Sequence, residues 1–394
     1  MRVPLLDLTR QHAQVAGEVA ERVSSLFASQ QFILGAAVED FESAFREATG
    51  CGHAVGMSSG TDAQLAILMA LRIGPGDAVL TTPYTFFATA GCIHRTGAEP
   101  VFVDVEESTL NLDPEKLREY LEGHCRVGTD GAVRTPRGHR LRAIIPIHLF
   151  GTCCRMDEIL ALANRFGLEV IEDAAQAVGA EYRGRRGVIQ AGAIARSAYF
   201  SFFPTKNLGG AGDGGMSVCA DGEMADRLRL LRNHGMEQRY FHREVGGNFR
   251  LDAIQAAVLH AKLAHLADWN AARRRNAAQY REAFAGRGLQ EFVRPPAAPE
   301  DGLPNSHIYH QHVIRAKNRD GLMAHLQAAG IGCAIYYPVP LHLQECFSYL
   351  GGKEGDFPVA EAASRDSLAL PIFPELRPEE IEAVADGIRD FYIR

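Results

Sequence analysis

Short apolar runs alternate with longer amphipathic stretches over the first 220 residues of the chain. Between residues 10 and 30, apolar side chains from Val15 to Leu26 recur at helical spacing and predict an opening helix. Further strands are predicted at 53–57, 78–80, 100–103, 143–147 and 169–171, with helices between them at 62–71, 86–94, 117–121 and 156–165. Repeated strand–helix–strand units of this size predict a mostly parallel sheet between helices.

The pattern changes after residue 250. The predicted elements there are helices at 253–269 and 271–284, a proline-rich linker at 294–299, strands at 311–314 and 334–336, and helices at 322–329 and 378–391. We therefore expect an α/β fold with two domains. A large domain would cover residues 1–250, with its N-terminal helix packing toward the smaller α/β domain of residues 251–394. The polar segment between Cys125 and Arg142 contains four glycine or proline residues and is predicted to be an exposed loop.

Composition narrows the class of protein. Of 394 residues, 46% are hydrophobic and 23% are charged, which excludes a disordered or fibrous chain. The 41 basic and 48 acidic residues give a net charge of −7, which argues against a nucleic-acid or anionic-membrane binder. No apolar run approaches the ~20 residues that span a bilayer. We expect a cytoplasmic protein without an export signal, whose eight sparse cysteines are reduced thiols.

One segment delivers a single lysine into a glycine-rich loop. The apolar run at 197–203 leads to Lys206, and no other lysine or arginine stands between residues 197 and 210. Apolar surroundings disfavour the charged amine, so that such a lysine can be nucleophilic near neutral pH. The chemistry that needs this property is imine (Schiff base) formation with a carbonyl, notably that of pyridoxal phosphate (PLP). A solvated surface lysine is the alternative.

The loop after this lysine, residues 210–215, matches the letters G-x-G-x-x-G. In a dinucleotide site this motif opens a helix after a strand. Here the strand-like run at 216–219 follows instead. We therefore reject a dinucleotide-dependent dehydrogenase.

Two further segments place polar groups where α/β sheets bind ligands. The run Ser58–Asp62 lies between a predicted strand and a predicted helix. Its hydroxyls either cap that helix or help its N–H groups to hold a phosphate. Glu172 and Asp173 end a predicted parallel strand, where a carboxylate can keep a pyridinium nitrogen protonated. A buried Asp173 needs a partner, because an unpaired buried acid is costly.

With these segments in place, the chain resembles the DegT/DnrJ/EryC1/StrS family of PLP-dependent nucleotide-sugar aminotransferases. The family has the fold type I architecture of aspartate aminotransferase, with a large domain built on a mostly parallel mixed sheet and a smaller C-terminal α/β domain. The resemblance runs from Phe32 to Leu376. The matching blocks are SGTDA at 59–63, TFFAT at 85–89, EDAAQ at 172–176, SFFPTK at 201–206 and GNFR at 247–250.

The resemblance implies how the chain would bind PLP. Lys206 would form the imine and act as general acid and base, and Asp173 would pair the ring nitrogen. Gln176 would lie near the phenolic oxygen of the cofactor, and Phe86 would stack on its ring, with a place in the hydrophobic core as the alternative for Phe86. The phosphate would be bound by Gly60, Thr61 and Ser201.

The resemblance also implies a homodimer with shared active sites. Asn248 would reach the phosphate of the neighbouring subunit's cofactor, and Arg250 would contact the substrate across the interface. A surface or structural role is the alternative for Arg250.

The implied substrates are L-glutamate as amino donor and a nucleotide-linked keto-sugar as acceptor. The segments at 307–312 and 335–344 are similar to those of members that aminate 3-keto sugars, which makes His307, Tyr309 and His342 candidate sugar or diphosphate contacts. Hydrogen-bonded structural histidines are the alternative. No metal is expected, because no carboxylate or cysteine accompanies His310 and His312.

Other activities stay open. The same framework serves amination of 4-keto sugars and of keto-inositols. A cousin group replaces the lysine with histidine and dehydrates sugars, and Lys206 favours the aminotransferase side. From a different class, a non-catalytic regulatory protein would keep the fold, but the presence of Lys206, Asp173 and Gln176 argues against it.

Overall fold

A computed structural model describes residues 1–297, 299 and 302–393. Its strands are β1 (His53–Met57), β2 (Asp77–Thr81), β3 (Glu99–Phe102), β4 (Arg126–Val127), β5 (Val133–Arg134), β6 (Arg140–Ile144), β7 (Glu169–Asp173), β8 (Glu181–Gly184), β9 (Gly187–Gln190), β10 (Ser197–Ser201), β11 (Gly215–Cys219), β12 (Met236–Gln238), β13 (Phe241–His242), β14 (Val293–Arg294), β15 (His312–Ala316) and β16 (Ser367–Leu370). Its α-helices are α1 (Leu8–Ser29), α2 (Ala36–Thr49), α3 (Gly60–Ala70), α4 (Ala88–Arg95), α5 (Pro114–Gly123), α6 (Met156–Phe166), α7 (Gly222–Arg232), α8 (Ala253–Leu263), α9 (Leu266–Gly286), α10 (Arg319–Ala328), α11 (Pro358–Asp366) and α12 (Pro378–Tyr392). None of these helices is long and apolar enough to cross a membrane.

A mixed, mostly parallel sheet lies at the centre of the fold. Its strands follow the order β1-β11-β10-β7-β6-β2-β3. The strands from β10 to β3 are parallel neighbours, whereas β11 runs antiparallel to both β1 and β10. Parallel strands are buried on both faces and therefore read as continuous apolar runs in the sequence. The predicted α/β class with a mostly parallel mixed sheet is confirmed.

A smaller antiparallel sheet follows in the C-terminal part. It has the order β14-β15-β16 and shares a buried core with α9, α10 and α12. The N-terminal segment joins this core, because Val3 pairs with Ile331 and the Arg10 guanidinium of α1 donates to the Glu380 carboxylate of α12 at 2.7 and 2.8 Å. The division at residue 250 stays a prediction; α8 buries its side chains in the same core as the large sheet.

The segment between Cys125 and Arg142 is a hairpin rather than a plain loop, so that part of the prediction is wrong. β4 and β5 pair antiparallel, and β6 already begins at Arg140. Backbone hydrogen bonds close the turn from Gly128 to Ala132. Such bonds need no apolar side chains, and a polar hairpin therefore leaves no hydrophobic pattern to detect.

The two long helices separate at Ala264 and His265, not near Asn270 as predicted. Asn270 lies inside α9. Its Oδ1 accepts from Asn207 Nδ2 at 2.7 Å, and its Nδ2 donates to the carbonyl of Val178 at 3.1 Å. Because distant partners satisfy the amide, it does not compete with the helix backbone and the helix continues through it.

Two further predictions change in the C-terminal part. Residues 334–336 do not form a strand, since Ala334 makes one isolated bridge to Ala369. Pro338 and Pro340 follow shortly and lack the N–H groups that a longer ladder needs. The linker predicted at 294–299 begins with the end of β14, and Ala298 lies outside the described residues.

Candidate active site

Two neighbouring parallel strands bring the predicted acid and lysine to one edge of the large sheet. β7 ends at Asp173, and β10 pairs its Tyr199 with Asp173 before it ends at Ser201. The chain then turns, with the Lys206 N–H donating to the carbonyl of Phe203 at 2.8 Å. Ligands of open α/β sheets bind outside the carboxyl ends of the strands. We therefore expect a functional site at this edge of the sheet.

Lys206 has the electrostatics of a nucleophilic amine. Its side chain is partly buried, and burial lowers the pKa of the amine to about 8, while the negative charge of Asp173 opposes that shift. An amine with this pKa is neutral in an appreciable fraction near pH 7, and only the neutral form attacks a carbonyl.

Asp173 is a buried carboxylate that is well supplied with hydrogen bonds. It is 6% exposed. Its Oδ2 accepts from the hydroxyls of Tyr199 at 2.6 Å and Thr89 at 3.1 Å, and its Oδ1 accepts from the Ala175 N–H at 3.1 Å. Burial raises the pKa of this carboxyl, whereas the hydrogen bonds and the charge of Lys206 lower it. Asp173 thus has the partners that its burial requires.

The N-terminus of α3 meets the end of β10. Ser59 caps the helix, with its Oγ accepting from the Asp62 N–H at 3.0 Å. The N–H groups of Gly60 and Thr61 open the helix and have no carbonyl partner within it, which suits an anion such as phosphate. A Cβ on Gly60 would lie 2.7 Å from the Cβ of Ser201. Glycine is therefore needed for this close approach.

An aromatic side chain and an amide complete the cluster. Phe86 is 59% exposed, and its ring centroid lies 6.3 Å from that of Tyr337. Gln176 donates through Nε2 to the Tyr337 hydroxyl at 3.2 Å and accepts through Oε1 from the Phe150 N–H at 2.6 Å. An exposed aromatic face suits stacking on a flat ligand ring, and Gln176 is fixed from both ends of its amide.

Asn248 and Arg250 lie in the segment that follows β13. The backbone of Asn248 pairs with Asn233, and its side chain is exposed. The Arg250 backbone pairs with Met57, and its Nη1 donates to Asn233 Oδ1 at 2.8 Å. The exposure of Asn248 leaves it accessible to a second subunit, and the roles of both residues across a dimer interface stay predictions.

The candidate substrate residues are buried and engaged by the protein itself. The Tyr309 N–H donates to His307 Nδ1 at 2.9 Å, and the two rings stack with centroids 4.0 Å apart. His342 Nε2 and Glu361 Oε1 form a hydrogen bond of 3.2 Å. Burial lowers the pKa of His307 to about 3 and also lowers that of His342. These contacts match the structural alternative, and contact with the sugar stays a prediction.

The histidine-rich segment also bears on metal binding. Within the described part of the chain, no three histidine, cysteine, aspartate or glutamate side chains gather as ligands for one ion.

Sequence reasoning did not single out the two hydroxyls that reach Asp173. Tyr199 stands two residues before Ser201 on β10, and strand alternation places both on one face. Thr89 follows Thr85 by four residues, and their hydroxyl oxygens lie 3.2 Å apart. These spacings are visible in the sequence, but their target is not, because the contacts depend on the pairing of β7 with β10 and on where α4 packs.

The residues present fit PLP. Lys206 offers an amine for its aldehyde, Asp173 a buried carboxylate for its ring nitrogen and Phe86 an aromatic face for its ring. The N-terminus of α3 offers free N–H groups for its phosphate, in a cradle that a Cβ on Gly60 would fill. These four groups all belong to elements at or next to the carboxyl edge of the sheet.

Such a fold and site define a PLP-dependent aminotransferase. The fold superposes on the crystal structure of DesV from S. venezuelae, described as a complex with a ketimine intermediate, with a TM-score of 0.90. The two sequences are 39% identical, and the match covers 100% of this chain and 99% of DesV.

The family model of the DegT/DnrJ/EryC1/StrS aminotransferases matches residues 14–389, and the chain belongs to this family. It is 43% identical over 393 residues to a protein of Geobacillus stearothermophilus named "Pleiotropic regulatory protein", covering 100% of this chain and 99% of that protein. It is 42% identical over 387 residues to the UDP-N-acetyl-3-dehydro-alpha-D-glucosamine 3-aminotransferase of Acidithiobacillus ferrooxidans, covering 98% of this chain and 97% of that protein. The predicted family and enzyme class are confirmed.

Proposed function

We propose that this chain binds PLP through Lys206 and transfers the amino group of L-glutamate to a nucleotide-linked 3-keto-sugar. The observation that carries the proposal is the partly buried Lys206 amine, whose pKa burial lowers to about 8, at the same sheet edge as the hydrogen-bonded Asp173. A lysine of this kind is suited to attack a carbonyl and then to exchange protons near neutral pH.

Each residue of the cluster has a defined task in this proposal. Bound PLP supplies a ring that accepts the electron pair left behind when a proton leaves the α-carbon of the amino donor. The neutral Nζ of Lys206 accepts that proton, and its pKa of about 8 lets it release the proton again. Asp173 would accept a hydrogen bond from the ring N–H, Phe86 would cover one face of the ring and Gln176 would lie near the phenolic oxygen.

The choice of sugar rests on relatives. The Acidithiobacillus relative is named for a UDP-linked 3-dehydro sugar. Full-length coverage of that protein supports the same substrate class for this chain, and L-glutamate as donor is inferred from the family resemblance. A nucleotide-linked 4-keto sugar or a keto-inositol is the alternative acceptor.

A homodimer with shared sites is part of the proposal. The exposed side chain of Asn248 supports it, because it lies open to solvent in a single chain. In the dimer, Asn248 would donate to the phosphate bound in the partner and Arg250 would face the substrate there. The cytoplasmic location stays a prediction from the sequence.

A regulatory role is the alternative to catalysis, because the Geobacillus relative carries a regulatory name. We propose catalysis for this chain because a purely regulatory protein has no need for a lysine of lowered pKa beside a buried carboxylate.

The covalent test uses the complete protein loaded with PLP. Borohydride reduction followed by peptide mapping should place the pyridoxyl label on Lys206. Lys262 is a matched internal control, because burial also lowers the pKa of its amine. Its Nζ differs in that it donates to the carbonyl of Gly209 at 2.7 Å. A label on Lys262, or no label, would contradict the assignment.

The acceptor is tested in the reverse direction with 2-oxoglutarate. UDP- and dTDP-linked 3-amino sugars should yield L-glutamate and the keto-sugar, whereas the 4-amino isomers and an amino-inositol should not. Turnover of a 4-amino sugar or amino-inositol alone would replace the 3-keto assignment, and labelled enzyme that turns over none of them would favour the regulatory role.

A further inference from the structure

Three donors converge on Asp173, and two of them are side-chain hydroxyls with no assigned role. Tyr199 and Thr89 both donate to Oδ2, at 2.6 and 3.1 Å, while the Ala175 N–H donates to Oδ1 at 3.1 Å. Tyr199 is 3% exposed and Thr89 is 1% exposed. The two hydroxyls are therefore shielded from water and directed at one carboxylate oxygen.

The number of acceptor positions on Asp173 limits where a further donor can bind. An ionised carboxylate offers about four lone-pair positions, two on each oxygen. Tyr199 and Thr89 occupy both positions of Oδ2, and Ala175 occupies one position of Oδ1. Among the residues that the structure describes, these three donors leave about one acceptor position, and it lies on Oδ1.

We propose that Tyr199, together with Thr89, is a positioning residue that keeps Asp173 ionised and turns the free acceptor position of Oδ1 toward the ring nitrogen of PLP. The inference rests on the proposed function, because that nitrogen belongs to the cofactor. Hydrogen bonds to the charged form offset the cost of burying a carboxylate. Burial and the charge of Asp173 raise the pKa of Tyr199 well above its ordinary value, so that its hydroxyl keeps the proton it donates.

The sheet explains why a tyrosine can do this at residue 199. Tyr199 and Asp173 are paired across the parallel strands β10 and β7, which places their side chains next to each other on one face. Ser201 follows two residues later on the same face, at the phosphate cradle. One strand thus sets the distance between the groups that would hold the two ends of the cofactor.

The test compares PLP with an analogue in which C–H replaces the ring nitrogen. Apo protein is titrated with each compound, and dissociation constants are measured for the wild type, Tyr199→Phe, Thr89→Val and Thr89→Ser. Tyr182→Phe is the matched control, because it removes the hydroxyl of a half-buried tyrosine that accepts from the Asp157 N–H at 2.9 Å, away from Asp173. Thermal unfolding confirms that each variant is folded.

Tyr199→Phe and Thr89→Val should each weaken PLP binding by at least about tenfold, the lower end of the effect of losing one hydrogen bond to a charged group. Both variants should bind the C–H analogue within twofold of the wild type. Thr89→Ser keeps the hydroxyl and should therefore bind PLP with the affinity of the wild type. Tyr182→Phe should also leave the PLP affinity unchanged.

If the variants lost equal affinity for PLP and for the C–H analogue, the hydroxyls would have a merely structural role. Unchanged affinity for PLP would also overturn the inference. If Tyr199→Phe does not fold, the pair Thr89→Val and Thr89→Ser decides by the same criterion. A wild-type protein that binds no PLP, or that is not labelled at Lys206, refutes the proposed function instead, so that the two failures are distinguishable.

Discussion

The contact between Gly60 and Ser201 gives a sharp test of the phosphate cradle through the substitution Gly60→Ala. The added Cβ would lie 2.7 Å from Cβ, 3.1 Å from Cα and 3.2 Å from Oγ of Ser201. Ser201 ends a strand that is held by Gly215 of β11, so it cannot withdraw like the tip of a flexible side chain. The helix terminus and the strand must therefore separate.

The expected effect follows from two opposing terms. Forcing a methyl group into a packed position costs about 1–3 kcal/mol. Alanine favours a helix over glycine by at most about 1 kcal/mol, and by less at the first helical position. The free energy of unfolding should fall by about 1–2 kcal/mol. Loss of one N–H contact to the phosphate, worth about 1.5 kcal/mol, should also weaken PLP binding about tenfold.

Urea unfolding of the apo protein and PLP titration measure the two effects separately. Gly17→Ala is the matched control, because Gly17 lies inside α1 and a Cβ there would meet no atom within 4 Å. That control should gain up to about 1 kcal/mol of stability and keep its PLP affinity. If Gly60→Ala retained both the stability and the PLP affinity of the wild type, the cradle would be refuted.

Three further predictions concern other parts of the molecule. Burial lowers the pKa of His307 and His312 to about 3 and that of His310 well below its ordinary value, so these rings take up protons on unfolding below about pH 6.5. The unfolding free energy, measured in urea, should fall by about 1 kcal/mol per histidine from about pH 7 to about pH 5.5. This decrease should be smaller in His312→Phe. Equal unfolding free energies at the two pH values would contradict the prediction. Asn248→Ala should lose PLP faster on dialysis, and a fully active monomer would refute the shared site. Lys206→Ala should abolish turnover and the borohydride label; unchanged turnover would remove its catalytic role.

The sequence predicts the strands of the large sheet best where they are runs of apolar residues, whereas the strand predicted at 143–147 overlaps β6 only at its last two residues. The strand predicted at 53–57 coincides with β1, and the strand at 169–171 lies inside β7. The hairpin of β4 and β5 could not be predicted, because it is held by backbone hydrogen bonds between polar residues. The helix break near residue 264 was misplaced because Asn270 resembles a helix stop until its partners, Asn207 and Val178, are known.

For the site, residue type identifies the chemistry, while the fold decides which residues take part. Lys206 and Asp173 stand out as candidates in the sequence because this chemistry needs an amine and an acid. Tyr199 does not stand out, since its contact with Asp173 depends on a strand pairing that joins residues 26 positions apart. Burial of His307 and His342 within the protein is likewise a property of packing, which no local spacing indicates.

The adjacent acids Glu172 and Asp173 are equal candidates for ligand binding in the sequence, but the fold gives them different hydrogen-bond partners. Neighbouring residues of a strand point to opposite faces. Glu172 accepts from His148 Nε2 and the Gly192 N–H on one oxygen, and from the Ile194 and Ala195 N–H groups on the other. These four donors fill its lone-pair positions, whereas Asp173 keeps one position open. Glu172 therefore anchors the chain before β10, and Asp173 alone is free to accept a hydrogen bond from a ligand.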